Sequence, residues 1–158
     1  MKVQLIRNAT MKITYADKTV LTDPVLSAKN SLPSFAGLEN NPTVNLPFPV
    51  QDILNGLDGV IVSHDHPDHM DSTAISLLPG DIPVFCQPSD EKRIASEGFQ
   101  NVLPVESARN WESITLTRTE GKHGQGKTGK MMGPVSGFLF QADTEPTLYW
   151  VGDSIWCE

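Results

Sequence analysis

The chain has 158 residues, 39% of them hydrophobic, with 12 glycines and 12 prolines, a composition typical of one folded domain with many turns. Its formal net charge of −7 and sequence pI near 5.0 argue against broad attraction to nucleic acid or to an anionic membrane surface. No apolar run approaches the roughly 20 residues that span a bilayer, and the N-terminus lacks the apolar segment of a signal peptide, so we expect a cytoplasmic protein. The acidic charge favours a small molecule as its substrate.

The first 50 residues predict three strands followed by a long loop. Apolar runs at 3–6, 11–15 and 19–21 alternate with turns, which is the pattern of a β-meander. Residues 27–50 then carry four prolines and several asparagines without a clear period. Since long loops inside compact domains are often functional, we expect a lid or a wall of a substrate site here, with a solvated excursion as the alternative.

The middle and the end of the chain alternate predicted strands and helices. Residues 59–63 are a continuous, mostly β-branched run, which predicts a strand buried on both faces. Asp71 and Ser89 are candidate N-caps of two short helices, and Gly98 is the expected end of the second. Further strands are predicted at 82–86, 102–105, 113–119, 137–141 and 147–151. This alternation indicates an α/β fold with helices on the outer face of a sheet.

The hexapeptide His-Asp-His-Pro-Asp-His at residues 64–69 is the strongest functional signal in the sequence. It begins where the predicted strand 59–63 ends and contains three of the four histidines of the chain. Pro67 prevents a regular helix, so the side chains can surround one centre. Imidazole and carboxylate suit zinc, manganese or iron, and the absence of a nearby cysteine argues against a closed structural zinc site. The hexapeptide therefore predicts an open, catalytic metal site.

Three residues outside the hexapeptide extend the candidate site. His123, the fourth histidine, lies among glycines that permit a close approach of the backbone. Asp153 follows the last predicted strand, where its carboxylate can bridge two metal ions or simply belong to a turn. Asp23, which precedes Pro24, can orient a ligand histidine, although an aspartate before proline is also a common turn residue.

Lys122, Lys127 and Lys130 form the one local basic cluster of this acidic chain. The favoured interpretation is a mobile, solvated loop rich in glycine. Recruitment of a phosphorylated or carboxylated substrate to the metal site is the alternative.

Together, these residues resemble the signature of the metallo-β-lactamase-fold superfamily. The hexapeptide matches its HxHxDH motif, and His123 and Gly152-Asp153 follow in the order of that family over residues 1–158. Residues 7–10 and 21–24 further resemble the branch that includes ascorbate-6-phosphate lactonases and related metal-dependent hydrolases. The resemblance implies an α/β fold, the four-layer αβ/βα sandwich, as a single metallo-hydrolase domain over 1–158 that lacks part of its C-terminal half.

The resemblance also implies a binuclear site for two divalent metal ions, zinc above all, with manganese or iron as alternatives. In that family pattern one ion is held by His64, His66 and His123, and the second by Asp68 and His69, with Asp153 bridging both. The family supplies one more histidine from its C-terminal half, and none follows His123 here. We therefore expect either an incomplete second site or a missing ligand after Glu158.

Relatives in the lactonase-like branch often carry a histidine near the first strands, where this chain has Asn8. An asparagine can donate a hydrogen bond to a substrate or a ligand, but it cannot bind metal as imidazole does. The alternative for Asn8 is a polar residue at a strand end.

The implied activity is hydrolysis of an ester, lactone or phosphoester bond of a small molecule, including an anionic one, by a metal-activated water. Asp68 is the expected catalytic residue, which holds and orients that water. Three alternatives stay open: a diiron oxidoreductase of the same fold, although such relatives place a glutamate where this chain has His66; a nuclease, which the acidic balance disfavours; and an inactive fragment. One half of the fold alone exposes an apolar sheet face, so self-association into a homo-oligomer is a further expectation.

Overall fold

Two β-sheets form the centre of the structure, a computed structural model that describes residues 1–34, 37 and 39–157. The first sheet has the strand order β1-β2-β3-β4-β5-β6 and the second the order β10-β9-β8-β7. The strands of the first sheet are β1 (Lys2–Arg7), β2 (Thr10–Tyr15), β3 (Lys18–Thr22), β4 (Gly59–Val62), β5 (Val84–Cys86) and β6 (Val102–Pro104). Those of the second are β7 (Ala108–Trp111), β8 (Ile114–Lys122), β9 (Pro134–Ala142) and β10 (Glu145–Trp150). The described helices are α1 (Val50–Leu54), α2 (Ser72–Leu77), α3 (Glu91–Ser96) and α4 (Gly126–Met132).

The first sheet combines the predicted meander with a parallel half. Strands β1, β2 and β3 pair antiparallel, whereas β3, β4, β5 and β6 pair parallel. Three short helices connect the parallel strands, and each contributes one buried residue to a common core: Ile53, Ala74 and Ile94. This arrangement confirms the predicted α/β fold with helices on the outer face of the sheet.

Strand β4 explains why a continuous apolar run appears in the sequence. Its four residues are all buried. Val60 and Val62 belong to the core that faces the helices, whereas Ile61 belongs to a second core shared with Phe138 and Phe140 of the antiparallel sheet. Because side chains alternate along a strand, a strand between two packed layers needs apolar residues at every position, and its C-terminal end delivers the hexapeptide between the two sheets.

The structure departs from the sequence prediction at several elements. Asp71 caps α2 as predicted, since its carboxylate accepts from the backbone N–H of Ala74 at 2.7 Å. Ser89, in contrast, is not a cap, because it lies inside a 3₁₀ turn and α3 begins at Glu91. The predicted mobile loop contains helix α4, and strand β7 was not predicted. None of the helices in the described part of the chain is long and apolar enough to cross a membrane.

Candidate metal centre

The four imidazoles of the chain form one cluster around His64. The ring centroid of His64 lies 4.3 Å from that of His66, 4.1 Å from that of His69 and 5.0 Å from that of His123. Three strand ends converge here: the hexapeptide leaves β4, His123 follows β8, and Asp153 follows β10. Residues that are far apart in sequence are thus brought together by the packing of the two sheets.

Two sets of three ligand atoms, in each of which all atoms lie within 4.8 Å of one another, occur in the described residues. The first contains His64, His66 and His123, and the second contains His64, His69 and Asp153. The first set has the composition implied by the family pattern. In the second, His64 occurs in addition to His69 and Asp153, whereas Asp68 belongs to neither set. Asp68 instead borders the adjoining cavity together with His66, His123 and Asp153.

A buried carboxylate, that of Asp23, orients the histidines from behind. Asp23 Oδ2 lies 3.1 Å from His69 Nδ1 and accepts the hydroxyl of Ser63 at 2.8 Å. Since Ser63 gives its one hydroxyl proton to Asp23, its oxygen is left to accept from His64 Nδ1, 3.1 Å away. Both outer nitrogens, on His64 and His69, are therefore engaged, and Nε2 of each ring is directed toward the centre, as in carboxylate–histidine–metal arrangements.

Electrostatics in the cluster divide the histidines into two kinds. Burial, together with the neighbouring histidines His69 and His66, lowers the pKa of His64 to about 3. Burial also lowers the pKa of His69, but hydrogen bonds to Asp153 and Asp23 outweigh that cost and raise it to about 10. The hydrogen bond from His69 in turn lowers the pKa of Asp153. These pKa shifts favour a proton on His69, between the two carboxylates, and a neutral His64.

The donor set fits a divalent metal ion. His64 Nε2 and His66 Nδ1 lie only 2.9 Å apart, and His123 Nε2 lies 3.5 Å from Asp153 Oδ2. A set of imidazole nitrogens and a carboxylate oxygen at such separations suits zinc, manganese or iron. The adjacent Asp65 points elsewhere, since its carboxylate forms an ion pair with Arg93 of α3.

Comparison with known proteins identifies the family. The family model described as "Beta-lactamase superfamily domain" matches residues 18–157. The chain belongs to this superfamily, in its metallo-β-lactamase-fold form. The UPF0173 protein YddR of Bacillus subtilis (strain 168) is 39% identical over 162 residues, covering 99% of this chain and 64% of its own length.

Two solved structures resemble this member of the superfamily over almost its whole length. One, described as a possible metal-dependent hydrolase from Veillonella parvula DSM 2008, has a TM-score of 0.93 and 37% identity, with 98% of this chain and 63% of the other covered. The other, an isothiocyanate hydrolase from Delia radicum gut bacteria, has a TM-score of 0.91 and 36% identity, with 99% and 64% covered. The chain thus spans less than two thirds of the length of these relatives. The narrower resemblance to ascorbate-6-phosphate lactonases stays a prediction.

A cavity of about 480 Å³ opens onto the histidine cluster of this superfamily member. One side is formed by the hexapeptide, His123 and Asp153, and another by the segment after β3. The described lining residues from that segment are Ser34, Gly37, Glu39, Asn41 and Thr43. The predicted loop therefore lines the cavity beside the histidines, and residues 35, 36 and 38 of this loop lie outside the described part; its role as the wall of a substrate site stays a prediction.

Arg7 fixes this cavity wall to the sheet. Its guanidinium is buried and donates to the backbone carbonyls of Val25 at 2.9 Å, Ser27 at 2.6 Å and Val44 at 3.1 Å. Burial lowers the pKa of Arg7, while the nearby Asp71 carboxylate raises it. Both ends of the wall segment are thus held by one cation.

The basic cluster and Asn8, two candidates from the sequence, lie outside the residues that line the metal cavity in the described part of the chain. The lysines at 122, 127 and 130 are absent from the described residues that line the metal cavity, whose charged lining includes Glu39, Asp68 and Asp153. Asn8 lies exposed in the turn between β1 and β2, with a φ of 50°. Sequence reasoning missed Ser63, although its place directly before the first histidine was a usable signal. It also missed Arg7 as the anchor of the wall, for which the sequence offers no signal.

Proposed function

We propose that the chain forms the metal-holding part of a metal-dependent hydrolase that cleaves an ester, lactone or phosphoester bond of a small molecule. The observation that carries this proposal is the pair of ligand sets that share His64 and open into one cavity. The similarity to an isothiocyanate hydrolase, 36% identical, adds isothiocyanates to the compounds that deserve testing.

Each residue of the cluster has a definite part in this proposal. One divalent ion would be held by His64, His66 and His123. The second would be held by His69 and Asp153, with Asp68 beside them on the cavity. Zinc is the first candidate for both ions, and manganese or iron are the alternatives. When bound, such ions lower the pKa of a water and polarise the oxygen of a scissile bond. Asp68 would orient the attacking water and accept its proton on a carboxylate oxygen. Asp23 would keep Nε2 of His69 directed at the centre.

The proposal also covers the class of substrate, the cellular location and the oligomeric state. The acidic cavity lining agrees with a small-molecule substrate better than with a nucleic acid, because phosphate backbones are bound by lysine and arginine. A cytoplasmic location and self-association into a homo-oligomer are proposed with it, and sedimentation of the purified chain tests the latter.

Metal content per chain tests the proposal first. Protein purified without chelator should contain about two ions per 158-residue chain by elemental analysis, the number that makes a binuclear hydrolytic site. Fewer than one ion per chain in protein that also fails to take up added zinc would overturn the metal assignment.

A substrate screen with Asp68→Asn then tests the chemistry. This variant should keep its fold and metal while losing most hydrolysis, since an amide cannot accept the proton of a water. The matched control is Asp81→Asn, which makes the same chemical change at an exposed turn and should leave hydrolysis unchanged. Full activity of Asp68→Asn would remove Asp68 from the mechanism.

A further inference from the structure

The indole of Trp150 reaches the carboxylate that stands behind the metal ligands. Its Nε1 donates to Asp23 Oδ2 at 3.2 Å, across a sequence separation of 127 residues. Trp150 ends strand β10 of the second sheet, whereas Asp23 follows strand β3 of the first. The hydrogen bond therefore joins the two sheets directly beneath the histidine cluster.

The same oxygen of Asp23 also serves His69. Asp23 Oδ2 lies 3.1 Å from His69 Nδ1, and Nε2 of that ring lies 3.1 Å from Asp153 Oδ2. Asp153 is three residues after Trp150 on the same chain segment. Trp150, Asp23, His69 and Asp153 thus form a closed ring of three polar contacts and a short stretch of backbone.

Closure of this ring restricts the position and orientation of the Asp23 carboxylate. Asp23 Oδ1 accepts the backbone N–H of Ser63 at 2.7 Å, while Oδ2 accepts the Ser63 hydroxyl at 2.8 Å. These contacts fix the carboxylate relative to the end of β4 alone. The indole adds a donor from β10, and so fixes the carboxylate relative to the strand that carries Asp153.

We propose that Trp150 is a positioning residue for the metal centre: through Asp23 it sets the distance between His69 and Asp153, the two ligands that the first set lacks. Its aromatic ring also packs against the core between the sheets, but the positioning role resides in the N–H. The inference rests on the proposed metal-binding function of His69 and Asp153.

Comparison of Trp150→Phe with Trp111→Phe separates the N–H from the bulk of the ring. Trp111 is also partly buried against the core between the sheets, with its ring 4.9 Å from that of Phe85. Both substitutions remove a similar volume from that core. Zinc affinity of the 158-residue chain, measured by competition with a chromophoric chelator, and the visible spectrum of the cobalt-loaded chain are the two readouts.

Trp150→Phe should weaken the binding of one zinc ion by about 10-fold, the lower end of the loss typical of outer hydrogen-bond partners of a metal ligand, because the indole acts one hydrogen bond further out, through Asp23. It should also alter the cobalt spectrum, while Trp111→Phe changes neither. In an Asp23→Asn background the effect of Trp150→Phe should shrink, because an amide offers one acceptor oxygen instead of two, for which the indole then competes with Ser63 and His69.

Two results overturn the proposal and are distinguishable from each other. Equal zinc affinities and cobalt spectra for Trp150→Phe and Trp111→Phe, with normal binding by the unsubstituted chain, refute the role of Trp150 alone. Failure of the unsubstituted chain to bind zinc refutes the proposed metal function and this inference with it. If Asp23→Asn does not fold, the comparison of the two tryptophan variants, with melting temperatures measured alongside, still decides the question.

Discussion

Metal binding should release a proton from His69, which makes metal affinity depend on pH. In the ion-free protein, burial lowers the pKa of His69, but hydrogen bonds to Asp153 and Asp23 outweigh it and raise the pKa to about 10. The ring is therefore protonated near neutral pH, whereas a metal ion binds only a deprotonated nitrogen. His64, whose pKa is lowered by burial to about 3, has no proton to release.

The size of the effect follows from one proton. Below the pKa of His69, each pH unit should raise zinc affinity tenfold, so between about pH 7.5 and pH 9 the dissociation constant should fall by about 30-fold, or about 2 kcal/mol. The sign for the ion-free fold is opposite: the stability contributed by protonated His69 is fully present below about pH 6.5 and is lost as the pH rises through about 10.

Calorimetric titration with zinc at one pH, in buffers of different ionisation enthalpy, counts the protons released. The control is His69→Gln, whose side chain has no titratable proton. Protons that coordinated water loses on metal binding are still released in this variant and are therefore subtracted. The unsubstituted chain should release about one proton more than this variant. Equal proton counts in the two proteins would refute the assignment of the proton to His69.

Three further substitutions test the surroundings of the site. Gly152→Ala, directly before Asp153, should lower both the melting temperature and the affinity for zinc, because φ is +67° and the added carbon would lie 2.7 Å from the backbone carbonyl oxygen of Ser136; an unchanged melting curve would contradict this. Ser63→Ala removes a buried donor to Asp23 and should cost about 1–3 kcal/mol in the free energy of unfolding, measured with denaturant; a loss indistinguishable from zero would argue against that network. Arg7→Met should speed proteolysis within residues 25–44 and change KM while metal content stays constant, and an intact wall in limited digestion would count against the anchor.

Much of the fold was predictable because the sheets impose simple patterns on the sequence. The continuous apolar run at 59–63 follows from burial on both faces, and β4 was predicted for that reason. Strand β7 was not, since Ala-Arg-Asn-Trp at 108–111 has no β-branched residue. Helix α4 was not predicted because two of its seven residues, Gly126 and Gly129, have low helix propensity.

The candidate site was predictable in its residue types but not in its distances. The hexapeptide, His123 and Asp153 could be selected because imidazole and carboxylate at strand ends point to metal chemistry. That His64 would occur in both ligand sets, and that Asp68 would border the cavity instead, depends on the path of a short turn around Pro67. The hydrogen bond from Trp150 to Asp23 connects two different sheets, so no local sequence pattern predicts it.

The wall of the cavity is closed on itself as well as anchored. A bridge pairs Leu32 with Asn41, and Asn30 donates its N–H to the carbonyl of Pro42 at 2.8 Å, while Arg7 holds the base of the segment. Amino acids between the bridged positions can therefore diverge without altering the strand ends that carry the histidines. For the proposed hydrolase, substrate preference can therefore change separately from metal binding, and we expect that related chains with the same hexapeptide need not share a substrate.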